Sequence, residues 1–223
     1  MNATFLARME RILWLYAQPH DPRSPVVCFD ERPCFLIGDA VAPLALSAGK
    51  VRKEHYAYEK NGSCALLAAI EPLTGRRFAK LYSQRTKREY ALFFKELAKQ
   101  FPDAETIRVV QDNLNTHNAS SFYEHLPAPE AFVLAQRFEF IYTPNSASWL
   151  NMIEIEFSAL ARQCLNRRIP TLAELERELL ALIRERDEKR IRIDWQFSIT
   201  TARSTFKNRY HQVCPANQKS EET

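Results

Sequence analysis

The sequence contains no long apolar run and no closely spaced pair of cysteines. No stretch of about 18 consecutive apolar residues occurs, so no membrane-spanning helix is predicted. The five cysteines are an odd number and form no Cys-x-x-Cys motif, which argues against a disulfide framework and against a zinc knuckle. We therefore expect reduced, mostly buried thiols and a protein that is not associated with a membrane.

The sequence also has little excess charge. Its 31 Lys and Arg residues offset 27 Asp and Glu residues, and a net charge of +4 does not by itself predict a polyanionic partner. The basic residues are clustered, however, and such clusters either follow DNA phosphates or form solvated helix faces with interspersed acids. The clusters are Lys50, Arg52, Lys53 and His55, followed by residues 76–88, 162–168 and 184–192.

The composition is that of a folded globular protein, with 46% apolar and 26% charged residues in a chain of 223. The first twenty residues intersperse Arg8, Glu10 and Arg11 among apolar side chains, which predicts an amphipathic helix instead of a signal peptide, and we expect a cytoplasmic protein. We divide the chain into an N-terminal connecting helix (1–20), one large domain (21–212) and a C-terminal tail (213–223).

The pattern of apolar residues predicts an α/β domain with a mixed sheet. The Arg32-Pro33 break suggests two short strands or a hairpin, and the polar stretch 47–63 suggests an extended insertion. Strands are predicted at 26–31, 34–38, 64–71, 77–82, 107–111 and 138–142. Helices are predicted at 87–101, 120–126 and 149–168, and a further helix begins after an N-cap at Thr171 and ends near residue 189.

Two acids stand at the ends of predicted strands. Asp30 ends VVCFD and Asp112 ends IRVVQD, so both carboxylates would emerge at one edge of the sheet if these strands are neighbours. Two close carboxylates need a compensating charge, and oxygen ligands suit magnesium or manganese. The alternative is that each Asp caps the turn or helix that follows it.

A third carboxylate is available in SWLNMIEIEFSALAR. Glu154 and Glu156 are two positions apart, which is about 200° around a helix, so at most one of them can face the other two acids. Both flank the apolar stripe of the predicted helix, and either of them could form a surface salt bridge instead. Spacing alone does not choose between them.

Three segments, VVCFDE, VVQDNLNTH and SASWLNMIE, occur in this order, and together they resemble a known family. They resemble the catalytic domain of bacterial insertion-sequence transposases related to the mariner elements, over about residues 20–212. The resemblance implies an RNase H-like fold with a mixed five-stranded sheet flanked by helices, so that residues 21–212 would form a DDE catalytic domain.

The resemblance also implies an activity and a set of site residues. The triad would be Asp30, Asp112 and Glu154, the last taken from the Asn151-Met152-Ile153-Glu154 motif in preference to Glu156. These acids would hold Mg²⁺ or Mn²⁺, as two ions, for hydrolysis of a phosphodiester at a transposon end and then strand transfer into target DNA. The extra residues between Asp112 and Glu154, relative to mariner relatives, lie in the segment PAPEAFVLAQR.

Six residues are predicted to bind DNA. Lys50, Arg52 and Lys53 are candidates for contact with the phosphate backbone. Trp149 could stack on a base or belong to the core. The other two are His117 and Asn151. His117 matches the family's Asp-Asn-x-x-x-His pattern near the active site, whereas without the resemblance a single His would more often be a turn or capping residue.

The resemblance further implies a DNA partner and a homodimer. Members of this family carry helix-turn-helix modules ahead of the catalytic domain. A separately encoded N-terminal half could supply them here, or the sequence could be a truncated copy or an excised domain, and the sequence does not decide among these alternatives. Two other interpretations stay open: an RNase H-like nuclease without strand transfer, and an inactive DNA-binding or assembly relic.

Overall fold

The computed structural model describes residues 1–41 and 56–216, which form a sheet of five strands with helices on both faces. The strands are β1 (Val26–Asp39), β2 (Tyr58–Glu71), β3 (Arg76–Tyr82), β4 (Ile107–Gln111) and β5 (Phe138–Tyr142). The α-helices are α1 (Ala3–Tyr16), α2 (Lys87–Lys99), α3 (Ser120–His125), α4 (Ala128–Gln136), α5 (Ile153–Gln163), α6 (Leu172–Glu188), α7 (Ile199–Thr205) and α8 (Lys207–Val213). Within these two ranges, no helix has the length and apolar character needed to cross a membrane.

The sheet is mixed, as predicted. Its strand order is β3-β2-β1-β4-β5, with β1, β2 and β3 antiparallel to one another and with β4 and β5 parallel to β1. Val26 to Cys28 of β1 pair with Arg108 to Val110 of β4, so the strands that carry Asp30 and Asp112 are indeed neighbours.

The prediction of two short strands around Arg32-Pro33 is wrong. β1 runs without interruption from Val26 to Asp39, and Pro33 is paired with Ala65 of β2. Proline is tolerated there because β1 pairs with β4 only over residues 26–28, so its other side is a sheet edge at Pro33. β2 likewise begins at Tyr58, so the last residues of the predicted insertion belong to the strand.

The predicted helix at 149–168 is shorter and later than expected. A 3₁₀ turn covers Ser148–Leu150, Asn151 is extended, and α5 begins only at Ile153 and ends at Gln163. Asn151 stays outside the helix because its side chain is hydrogen-bonded to β1, and such a bond competes with helical geometry. Helices α4, α7 and α8 were not predicted.

Each face of the sheet carries its own core. Helices α1, α5 and α6 pack on one face, and α2, α3 and α4 cover the other with an aromatic cluster. Successive residues of a strand point to opposite faces. Cys28 belongs to the first core and Phe29 to the second, so Asp30 faces α5 and Glu31 faces α2.

Candidate active site

Asp30 lies in an environment that disfavours a negative charge. Burial raises the pKa of its carboxyl group to about 7, and the charges of Asp112 and Glu154 contribute to the increase. The backbone N–H of Glu31, which donates to Oδ1 at 2.7 Å, and the nearby His117 act in the opposite direction. Asp30 therefore has two acidic neighbours, as the predicted triad requires.

Asn151 connects the start of α5 to the strand that carries Asp30. Its buried side-chain amide donates to the carbonyl oxygen of Phe29 at 2.8 Å and lies 3.5 Å from Oδ2 of Asp30. Its own carbonyl oxygen accepts a hydrogen bond from the N–H of Glu154 at 3.1 Å. The Asn-x-x-Glu motif thus anchors the first turn of α5 on β1 and places Glu154 near Asp30.

Glu156 occupies a different environment, although it is only two positions further along α5. Its side chain is 3% exposed and forms paired hydrogen bonds with two guanidinium groups. Arg77 of β3 donates at 2.9 and 3.0 Å, and Arg186 of α6 donates at 2.8 and 3.0 Å. Because both carboxylate oxygens are occupied in this way, Glu156 has a structural role, and Glu154 is the acid that faces Asp30.

Asp112 follows β4 and pairs with His117. The carboxylate oxygen Oδ1 bonds to Nδ1 of the imidazole, which is buried between the rings of Tyr90 at 5.1 Å and Phe29 at 5.4 Å. Burial alone would lower the pKa of His117, but the hydrogen bond to Asp112 and the nearby carboxylate of Glu31 outweigh it and raise the pKa to about 9. An imidazolium at neutral pH therefore compensates part of the negative charge at the site.

The turn between Asp112 and His117 is held by groups that sequence reasoning missed. Gln111 donates to the carbonyl oxygen of His117 at 2.8 Å, and the Tyr142 hydroxyl donates to the same oxygen at 3.1 Å. Tyr90 in turn donates to the side chain of Gln111 at 3.0 Å. The only available signal was the polar Gln111 at the end of an apolar strand, because its partners are distant in sequence.

The structure does not support direct DNA contact by two of the predicted residues. His117 and Asn151 are buried, and their polar atoms bond to Asp112 and to β1. Trp149 is 41% exposed, while its ring edge packs on Phe197 at 5.4 Å, so its stacking on a base stays a prediction. The three basic candidates, Lys50, Arg52 and Lys53, lie outside the described residues.

The other basic clusters are largely paired with acids. Arg77 and Arg186 bind Glu156. The other ion pairs of these clusters within the described residues are Arg85 with Glu31, Lys87 with Glu124, Arg167 with Glu178, Arg168 with Asp39, Lys189 with Glu185 and Arg190 with Asp187. These contacts favour the interpretation of the clusters as ion-paired surfaces over a continuous track for phosphates.

An open cavity of about 560 Å³ lies next to the residue that follows Asp112, although none of the three candidate acids is among its lining residues. The first turns of α1 and the loops after β4 and β5 line it. One of the lining residues is Asn113, which follows Asp112 in the sequence. Its polar lining also includes Asn145 and Arg8, and Arg8 forms no ion pair within residues 1–41 and 56–216. The cavity is therefore weakly basic and offers several hydrogen-bonding amides.

The donor set of the three acids fits a hard divalent cation. Asp30, Asp112 and Glu154 offer carboxylate oxygens, which magnesium and manganese prefer, and the raised pKa of Asp30 marks a place where a cation would be stabilised. Among the side chains in the described part of the chain, no three His, Cys, Asp or Glu residues converge as a ready-made metal site.

Comparisons with known proteins agree with this geometry. The chain is similar in structure to the Mos1 mariner paired-end complex with Mn, with a TM-score of 0.57 and 12% sequence identity. The match covers 99% of the present chain and 64% of the Mos1 chain. It is also similar to the Mos1 strand transfer complex, with a TM-score of 0.58 and 10% sequence identity. That match covers 97% of the present chain and 62% of the Mos1 chain. The chain thus spans less than two thirds of the length of these Mos1 chains. The structural similarity confirms the predicted RNase H-like fold.

The sequence itself identifies a family. No curated protein matches the chain. The sequence profile of the DDE superfamily endonucleases matches residues 25–176, which include Asp30, Asp112 and Glu154. That match covers more than half of the sequence, so the chain belongs to the DDE superfamily endonucleases.

Proposed function

We propose that this chain is the catalytic domain of an insertion-sequence transposase that cuts DNA and transfers the cut strand to a target. The observation that carries the proposal is that the charges of Asp112 and Glu154 both act on the buried carboxyl group of Asp30, which lies on β1 beside the strand that Asp112 follows. Support comes from the family match and from the likeness to Mos1 complexes with paired ends and in strand transfer.

The three acids are proposed to hold one or two divalent cations, Mg²⁺ or Mn²⁺. When bound, the cations would supply Lewis-acid stabilisation of the oxygens that attack and leave the phosphorus. Asn151 keeps the first turn of α5 against β1, and His117 holds one oxygen of Asp112. These two contacts limit the freedom of the acids before DNA arrives, which favours a productive arrangement.

DNA is the proposed partner, and the cavity beside Asp112 is the proposed point of approach. Arg8 forms no ion pair with the residues that the structure describes, so its guanidinium is available for a phosphate, and Asn113 and Asn145 offer amides for phosphate, sugar or base atoms. Lys50, Arg52, Lys53 and Trp149 remain proposed contacts. We further propose a homodimer that works in the bacterial cytoplasm with a separately encoded helix-turn-helix half.

The test is metal-dependent nicking of supercoiled plasmid by the purified chain. Nicking is expected with Mn²⁺ or Mg²⁺, none with a chelator, and none by the Asp112→Asn variant, whose circular dichroism should match that of the wild type. Full nicking by Asp112→Asn would refute the site assignment.

Strand transfer is tested separately with pre-cut DNA ends and a target plasmid. Joined products would distinguish a transposase from a nuclease that only cuts. A folded protein that binds Mn²⁺ but neither cuts nor joins, even with its N-terminal half supplied, would point to an inactive relic.

A further inference from the structure

Glu31 is a buried carboxylate that lies next to the candidate triad without belonging to it. It follows Asp30 on β1 and points to the opposite face of the sheet. Its side chain is 5% exposed, and its Oε1 lies 3.2 Å from Nε of Arg85 and 3.5 Å from Nε2 of His117. Both contacts are ion pairs without hydrogen-bond geometry, and among the described residues Oε1 of Glu31 and Nε2 of His117 are buried atoms with no hydrogen-bond partner. Because an unsatisfied buried carboxylate is costly, Glu31 is held there at an energetic cost that the two positive groups offset in part.

Glu31 and Asp112 lie on opposite sides of the same imidazole. Nδ1 of His117 bonds to Asp112, and Nε2 faces Glu31. The ring is stacked on Tyr90 with an interplanar angle of 17° and lies edge to face with Phe29, and these contacts restrict its tilt. The two carboxylates and the two aromatic rings therefore define one orientation of the imidazole.

We propose that Glu31 is a positioning residue that acts through His117 on Asp112. It fixes the ring so that Nδ1 holds Oδ1 of Asp112 and the other carboxylate oxygen is left to bind a divalent cation. The inference rests on the proposed function in one respect, namely that Asp112 is a metal ligand. Residues in this position, one step behind a ligand, typically change metal affinity or activity by about 10–100-fold when they are replaced.

Mn²⁺ affinity of the full chain, measured by electron paramagnetic resonance of the free ion, tests the proposal. Glu31→Gln is expected to weaken Mn²⁺ binding by about tenfold or more. Glu71→Gln is the matched control, because Glu71 is also a buried carboxylate that faces a histidine, His20, at 2.8 Å. That variant should bind Mn²⁺ like the wild type, and equal weakening in both variants would overturn the proposal.

A second measurement does not depend on metal. The ¹⁵N resonances of the His117 imidazole, assigned with His117→Asn, should shift in metal-free Glu31→Gln and stay in place in Glu71→Gln. Unchanged resonances would show that Glu31 does not orient the ring. If Glu31→Gln does not fold, Arg85→Gln replaces it, because Arg85 is half exposed and its loss should produce the same changes at smaller size.

The two proposals fail in different ways. A wild-type chain that binds Mn²⁺ but does not cut DNA would refute the proposed function, and the Glu31→Gln affinity would still decide the role of Glu31. A wild-type chain that binds no Mn²⁺ would overturn the assignment of Asp112 as a ligand and with it the role of Glu31.

Discussion

At the scale of single residues, replacement by Gln should affect mainly stability at Glu156 and mainly nicking activity at Glu154. Glu156→Gln leaves Arg77 and Arg186 buried without their counter-charge, so we expect a loss of about 3–5 kcal/mol in the free energy of unfolding. Glu154→Gln should change that free energy by less than about 1 kcal/mol and abolish nicking. Urea denaturation and the plasmid assay check both, and comparable destabilisation by the two variants would contradict the assignment.

The contribution of Glu156 should also depend on pH. Burial acts to raise the pKa of Glu156, but hydrogen bonds from Arg186 and Arg77 outweigh it and hold the pKa below its usual 4.5. The folded pKa is thus lower than the unfolded one, so the stabilisation is complete above the unfolded value and is lost as the pH falls through the folded value.

The stability difference between wild type and Glu156→Gln should therefore stay constant from neutral pH to about pH 5 and shrink below it. Denaturation curves at several pH values measure this difference. If the difference grew on acidification, the ion pairs would not be its source.

Sequence reasoning singled out the candidate acids but did not predict the different environments of Glu154 and Glu156. Asp30 and Asp112 are visible because each interrupts an apolar strand, whereas the partners of Glu156 lie 79 and 30 positions away. No local pattern indicates such contacts. The same holds for Glu31, because its neighbours Arg85 and His117 lie 54 and 86 positions away, before α2 and in the turn after β4.

At the scale of secondary-structure elements, the turn between β2 and β3 should tolerate little change. Gly75 has a φ of +77°, and a Cβ added there would lie 2.7 Å from the backbone carbonyl carbon of Arg190, just after α6. Gly75→Ala should therefore destabilise the fold by about 1–3 kcal/mol. Gly38→Ala is the control, because its added Cβ would come within 2.9 Å of the movable Asn61 side chain and would meet Pro170 at an ordinary contact distance of 3.7 Å. Equal melting temperatures of the two variants would contradict this.

Elements defined by local signals were predicted well. The bounds of β4 and β5 match those of the structure, and the Thr86 and Glu89 capping box begins α2 as predicted. The break before α5 was missed because it depends on Asn151, whose bond to Phe29 spans 122 positions. Continuity of β1 through Pro33 was missed for a similar reason, since only the sheet order shows that one side of the strand is unpaired.

At the scale of the whole molecule, α1 belongs to the same side as the acids. Its apolar residues pack in the core that includes α5, and its first turns border the cavity beside Asp112. The cavity and the acids both lie at the carboxyl ends of β4 and β5, where α/β sheets bind ligands. If DNA is the substrate, as proposed, we expect it to approach the acids near α1 and to contact Arg8.

Arg8→Ala should weaken DNA binding, while Lys99→Ala should not. Both remove one positive charge, but Lys99 ends α2, pairs with Glu96 and precedes the connection to the opposite, amino-terminal end of β4. Affinities for a fluorescent duplex are measured by anisotropy at several salt concentrations in the Asp112→Asn background, which prevents cutting. One lost phosphate contact should reduce the slope of log affinity against log salt by about 1. Equal slopes in the two variants would mean that net charge, and not the cavity beside Asp112, attracts the DNA.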